Sequence, residues 1–248
     1  MFKNLFGEEI EHSCSVFPII TLNTDEGIVK CLGTGFFINN TGLFVTARHV
    51  LTNKKGEYYS DVFGTQIKKD GSPCNRRIDN VCTDDKTDIV VGMLRTEGYD
   101  EMGKLIAVED APFLQISFKL LSQGDEIIAF GYPKTFKSYP AENKERFHFT
   151  GTWMKGNIIE FYREGTPMLR NMCFQTSMHI QDGASGGPVF KGNYVVGVNS
   201  TGYELLDDEE PISFITPIHY LLNYQVEIDS VDYTIKQLMA ERKIIAIT

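Results

Sequence analysis

The chain has 248 residues, 42% hydrophobic, 12% aromatic and 23% charged, a balance that excludes a disordered or fibrous protein. Its 24 Lys and Arg stand against 33 Asp and Glu, for a net charge of −9, and the one notable block of like charge is the acidic run 207–210. That balance excludes nucleic acid or anionic lipid as the main partner.

In chain order, residues 1–10 hold Lys3 and then Leu5, Phe6, Gly7, Glu8 and Glu9, with no apolar run of signal-peptide length. Nothing further along reaches the ~18 consecutive apolar residues of a membrane span. A soluble, cytoplasmic protein is expected. Apolar residues then alternate, or gather in short runs, over 15–22, 30–38, 43–46, 89–94, 126–130, 147–153, 157–162, 169–176, 188–190, 194–200 and 212–216. Turn formers separate these runs, such as Asn39, Asn40 and Gly42, or Gly165, Thr166 and Pro167. Many short strands set off by turns predict an all-β fold of barrels or sandwiches.

Between Arg95 and Pro112 the pattern is diluted by Glu97, Gly98, Asp100, Glu101 and Gly103. The break divides the chain into units at 13–112 and 113–222, with an extension at 223–248. Residues 217–224 suit one or two helical turns. Val231, Ile235, Leu238, Met239 and Arg242 follow helical spacing behind a cap at Asp229 or Ser230, which predicts a C-terminal helix packed across the barrels or offered to a regulatory protein.

The five cysteines, Cys14, Cys31, Cys74, Cys82 and Cys173, are odd in number and scattered. They read as reduced, buried structural thiols. A zinc site built from Cys74, Cys82 and a histidine would lack the close ligand spacing such sites show. Neither a metal nor a cofactor is expected.

Three segments carry chemistry. Asp182-Gly183-Ala184-Ser185-Gly186-Gly187-Pro188-Val189 sets a serine in a glycine turn tight enough for backbone N–H groups, those of Gly183 and Ser185, to converge on the oxygen of an attacked carbonyl. A serine hydroxyl needs a base to take its proton. Of the five histidines, His49 has the most telling context, on a turn after the strand that ends Val45-Thr46-Ala47. The imidazole in turn needs a buried carboxylate to hold its tautomer. Asp88 lies where the polar loop Asp84-Asp85-Lys86-Thr87 enters the apolar run 89–94.

The order His49, Asp88, Ser185 resembles that of the chymotrypsin-like (trypsin-like) serine proteases, in particular their bacterial, high-temperature-requirement branch, over roughly residues 13–220. Gly33-Thr34-Gly35-Phe36-Phe37-Ile38 is similar to the family's strand before the histidine. Gly124-Asp125-Glu126-Ile127-Ile128-Ala129-Phe130-Gly131-Tyr132-Pro133 is similar to its strand entering the second barrel, and Val195-Val196-Gly197-Val198-Asn199-Ser200 to the strand after the nucleophile. The resemblance implies two six-stranded antiparallel β-barrels, a peptide or protein substrate, and a Ser200 that hydrogen-bonds Asp88. It also implies a substrate strand paired along Ser200, Thr201 and Gly202, and a primary pocket lined by His179, Ile180 and Asn199 with Tyr203 at its rim. His179 and Asn199 would suit a polar or acidic side chain there.

Ala184 departs from the family's digestive members, where an acid at this place pairs with a newly cut N-terminus. No cysteine flanks His49, and too few residues follow Thr216 for a PDZ-like domain. Two other readings stand beside hydrolysis: a catalytically silent peptide-binding module on the same scaffold, and a protease kept latent until a partner binds.

Overall fold

The computed structural model describes residues 2–3, 9–10, 12–23, 28–68, 70–108, 111–141, 144–203 and 212–247. The acidic run 207–210 lies outside them. A short antiparallel pair, β1 (Phe2–Lys3) and β2 (Glu9–Ile10), and one helical turn, α1 (His12–Ser15), lead into the first barrel.

That barrel is built from β3 (Val16–Asn23), β4 (Ile28–Phe37), β5 (Leu43–Ala47), β6 (Val62–Ile67), β7 (Pro73–Thr83) and β8 (Ile89–Leu94), with the helical turn α2 (Arg48–Leu51) after β5. Neighbours run β7-β6-β3-β4-β5-β8, and a β7–β8 pairing closes the ring. Alternation points Phe17, Phe37 and Phe44 inward, all fully buried. Their rings meet at centroid distances of 4.7 Å (Phe17–Phe37) and 5.5 Å (Phe17–Phe44). Gly64 makes room for them, since a Cβ there would lie 2.7 Å from the Phe17 ring.

Sequence periodicity missed β6 and β7. The polar run Asn75-Arg76-Arg77 disguises β7 as a loop, yet Arg76 is only 2% exposed. Its guanidinium donates to Gln66 Oε1 (2.7 Å), the Arg95 carbonyl (2.7 Å) and the Leu94 carbonyl (3.2 Å), and lies 5.6 Å from the Phe37 ring centroid. Burial lowers its pKa to about 10, so it remains charged at neutral pH, its cost offset by those acceptors.

From β7 the sheet continues into β9 (Glu97–Tyr99) and β10 (Leu105–Ala107), and β11 (Ile116–Ser117) follows. The second barrel comprises β12 (Glu126–Ala141), β13 (Lys144–Tyr162), β14 (Cys173–Thr176), β15 (Pro188–Lys191), β16 (Tyr194–Tyr203) and β17 (Ile212–Pro217). Its ring runs β15-β12-β13-β14-β17-β16 and is closed by β15–β16. Ile127, Ala129, Ile158, Phe174, Val189 and Ile215 fill it. The runs 147–153 and 157–162 are parts of one strand, β13, whose pairing with β12 continues out to Ala141 and Lys144. The fold is therefore the expected pair of six-stranded antiparallel barrels.

A 3-10 helix follows at Ile218–Asn223, then β18 (Gln225–Ile228), β19 (Val231–Thr234), α3 (Ile235–Ala240) and β20 (Ala246–Ile247). The predicted cap was misplaced. Asp229 and Ser230 both have positive φ, 50° and 63°, the backbone of a two-residue hairpin turn, and Val231 belongs to a strand. The helix starts behind Thr234, whose Oγ1 accepts the Gln237 N–H (3.2 Å) while Gln237 Oε1 accepts the Thr234 N–H (2.7 Å). Ile235, Leu238 and Ile244 join Ile218 and Leu221 in an apolar cluster that runs from the first barrel to Phe130, Phe190 and Val195 of the second, and β20 pairs in parallel with β11. None of the five cysteines is paired in a disulfide. Among the described residues no helix is long and apolar enough to cross a membrane.

Candidate active site

All five residues of β5 are buried, and the chain leaves that strand directly into α2. Val50 and Leu51 face the core, which turns His49 outward with its side chain 45% exposed. Pairing of Ala47 with Ile89 sets the ends of β5 and β8 side by side, so the residue just before β8, Asp88, meets the residue just after Ala47. The Arg48 N–H donates to the Asp88 carbonyl (2.8 Å) and the His49 N–H to Asp88 Oδ1 (3.2 Å).

His49 Nδ1 lies 2.9 Å from Asp88 Oδ2 and 3.1 Å from Oδ1. A carboxylate against Nδ1 selects the tautomer with its hydrogen there and leaves a lone pair on Nε2. Burial lowers the imidazole pKa, but the charge of Asp88 and its hydrogen bond more than offset this, and the net shift is upward.

The Asp88 carboxylate is not held by Ser200, as the resemblance implied. Ser200 is fully buried and its Oγ lies 2.6 Å from Thr216 Oγ1. The second barrel reaches Asp88 through Asn171 instead, whose Oδ1 accepts the Asp88 N–H (3.2 Å) and whose Nδ2 donates to Thr216 Oγ1 (3.1 Å) and the Met172 carbonyl (2.9 Å).

Ser185 lies in the turn between β14 and β15, half-buried. Gly183 has φ +88°, and a Cβ there would come within 2.5 Å of the Tyr132 carbonyl, so only glycine fits. Gly186, at φ +84°, packs flat against Thr34, Thr46 and Ala47 at the strand ends that precede His49, with no room for a side chain. The Ser185 carbonyl accepts the Thr34 N–H (2.8 Å). The turn that carries the serine is thus docked on the first barrel next to the base of α2. Among the described residues, the Gly183 and Ser185 N–H groups donate to no protein acceptor, and Ser185 Oγ makes no hydrogen bond.

A cleft of about 590 Å³ opens beside His49, lined by Arg48, Thr52, residues 85–88, residues 168–171 and Thr201. The expected primary-pocket residues differ in exposure. Ile180 is buried, its N–H donating to Ser213 Oγ (3.0 Å), and His179 is exposed. Asn199 is fully buried beneath the serine turn, its Nδ2 donating to the Ala184 carbonyl (3.2 Å), which turns its amide toward the main chain rather than a substrate. Thr201 reaches the cleft, and Gly202 continues β16. No sequence signal marked Asn171. Thr34 had a faint one, its place between two glycines in the strand before His49.

The family model for the trypsin-like peptidase domain matches residues 33–198. The chain belongs to this family. Among curated proteins, this trypsin-like peptidase domain is 28% identical over 189 residues to the "Probable periplasmic serine endoprotease DegP-like" of Bartonella henselae, which covers 75% of the chain and 31% of that relative. The chain spans about a third of the relative's length. Solved structures share the fold. Deg5 superposes with a TM-score of 0.57 at 22% identity, over 86% of this chain and 87% of its own. The HtrA-type protease AlgW with tripeptide gives 0.61 at 16% identity, over 94% of this trypsin-like chain and 62% of its own.

Proposed function

We propose that this chain is a serine endopeptidase in which Ser185 is the nucleophile, His49 the general base and Asp88 the carboxylate that orients it. The observation that carries the reading is the 2.9 Å contact between His49 Nδ1 and Asp88 Oδ2, formed beside a serine turn docked on the same strand ends. In unliganded enzymes the serine–imidazole contact is often longer than a hydrogen bond and tightens as substrate binds.

The chemistry follows from those positions. The Ser185 Oγ proton passes to His49 Nε2 as Oγ bonds to the substrate carbonyl carbon, and the carbonyl π pair moves onto its oxygen. The Gly183 and Ser185 N–H groups face that oxygen and stabilise its charge. As the tetrahedral centre collapses, the C–N bond breaks and His49 returns the proton to the leaving amine. Water then gives a proton to His49 and attacks the ester. As the second centre collapses, the bond from carbon to Ser185 Oγ breaks, His49 returns its proton to Oγ, and the acid leaves. Asp88 keeps its hydrogen bond to Nδ1 throughout and stabilises the imidazolium.

Protein or peptide substrates have a place to lie. Among the described residues β15 pairs with β16 from Tyr194 to Val198, and the stretch Ser200, Thr201 and Gly202 would serve as the edge for an added substrate strand. A fluorophosphonate probe tests the reading. The native protein is expected to be labelled at Ser185, and Ser185→Ala and His49→Ala to lose several orders of magnitude in peptide turnover. Absent labelling of the folded protein, with equal turnover by Ser185→Ala, would reject it.

A further inference from the structure

We propose that Thr34 is a positioning residue for the oxyanion site, holding the serine turn in its hydrogen-bonding conformation from the opposite barrel. The inference rests on the protease reading above.

Thr34 is fully buried on β4, and its hydrogen-bonding groups are committed to three distant elements. Its Oγ1 donates to the Gly183 carbonyl at 2.7 Å, 149 residues away, and accepts the Tyr132 N–H at 3.1 Å. Its N–H donates to the Ser185 carbonyl at 2.8 Å, and its own carbonyl accepts Thr46 Oγ1 at 2.7 Å. A hydroxyl has one proton. With Tyr132 occupying a lone pair, that proton is directed at Gly183.

The consequence lies in three consecutive peptide planes, since in a trans peptide the C=O and N–H point opposite ways. The 183–184 plane is held by Thr34 at the Gly183 carbonyl and by the Ala184 N–H donating to the Gln181 carbonyl (3.0 Å). In the 184–185 plane, the Ala184 carbonyl accepts Asn199 Nδ2 (3.2 Å) and the Gly187 N–H (3.1 Å), which sends the Ser185 N–H the other way. In the 185–186 plane, the Ser185 carbonyl accepts the Thr34 N–H (2.8 Å) and the Gly186 N–H donates to the Asn199 carbonyl (2.7 Å). Thr34 therefore holds the outer two planes and Asn199 the middle one. Ala184, at the position where an acid pairs with a newly cut N-terminus in the family's digestive members, carries only a methyl group and makes no such pair. Thr34, from the first barrel, fixes the planes on either side of the one that carries the Ser185 N–H, and the first of them begins at Gly183, whose own N–H is the second donor.

Thr34→Val keeps the shape and removes the hydroxyl. Its kcat is expected to fall about tenfold to a hundredfold, with KM within about twofold, because the donors act on the transition state more than on bound substrate. Affinity for a peptide aldehyde, which forms a tetrahedral adduct, should fall in step with kcat. Thr34→Ser should recover both. If the valine variant does not unfold cooperatively, Thr34→Cys, a weak donor of similar size, must show the same split at smaller amplitude. A wild type that cleaves peptides, alongside a folded Thr34→Val (or, in its place, Thr34→Cys) with unchanged kcat and aldehyde affinity, overturns the role given to Thr34. A wild type that cleaves nothing overturns the protease reading instead.

Discussion

Asn171 carries the contact between the second barrel and the backbone of Asp88: one side-chain amide accepts the Asp88 N–H at 3.2 Å and donates to Thr216 at 3.1 Å. Asn171 is buried, 5% exposed, so water cannot easily replace either bond.

Asn171→Ala is therefore expected to cost about 1–3 kcal/mol of stability, the penalty for stranding buried polar groups. It should also lower kcat, because Asp88 loses a constraint on the backbone from which it holds His49. Urea unfolding of the Ser185→Ala background with and without the change measures the first effect. Steady-state kinetics measure the second.

Activity and stability should respond to pH in opposite directions. The imidazole pKa is raised in the folded protein by Asp88 against the opposing effect of burial. With neutral His49 as the proposed base, the acid limb of kcat/KM should have its midpoint above the ordinary imidazole value of about 6.5. A raised folded-state pKa means that protonated His49 stabilises the fold. That contribution is complete below the unfolded value and is lost as pH rises through the folded one. Chemical denaturation across this window, compared with His49→Ala, should show the loss in the native sequence only. A midpoint below the ordinary value would contradict the assigned shift.

Removing residues 225–248 should unfold the protein rather than release its activity. Ile235, Leu238 and Ile244 are each at most 1% exposed and belong to the apolar cluster shared by the two barrels. Burying a large aliphatic side chain is worth about 1.5–3 kcal/mol, so three of them approach the whole stability of a typical domain. The truncated protein is expected to be insoluble or to lack cooperative unfolding. A soluble truncation with native turnover would show the extension to be dispensable.

Restoring an acid at Ala184 should harm the protein. Ala184 is fully buried, and Gly131 faces it so closely that a Cβ on Gly131 would lie 2.9 Å from the Ala184 Cβ. A carboxylate there is both too large for the space and without a cation among the described neighbours. Ala184→Asp is expected to cost about 3 kcal/mol or more, and Ala184→Gly far less. Thermal unfolding of both variants separates the two costs.

The barrels were readable because alternation is a local property. Residues 89–94 form the strand Ile89–Leu94 as expected, whereas β7 was hidden because Arg76 satisfies its charge on Gln66 and on carbonyls 18 and 19 residues away. Helical spacing from Val231 to Arg242 misled for a related reason. Period alone cannot separate a hairpin followed by a short helix from one longer helix, and the positive φ at Asp229 and Ser230 decides between them.

By itself the sequence determined the strands that alternate, the glycines that shape the serine turn, and the order of His49, Asp88 and Ser185, since each is a pattern of neighbouring residues. Only the tertiary structure decided what surrounds those three. Thr34 reaches Gly183 and Asn171 reaches Asp88 across separations of 149 and 83 residues, and Ser200 turns to Thr216 rather than to Asp88. A hydrogen bond depends on distance and direction to within a few tenths of an ångström and a few tens of degrees. Such geometry between distant residues exists only once both barrels have closed and packed together.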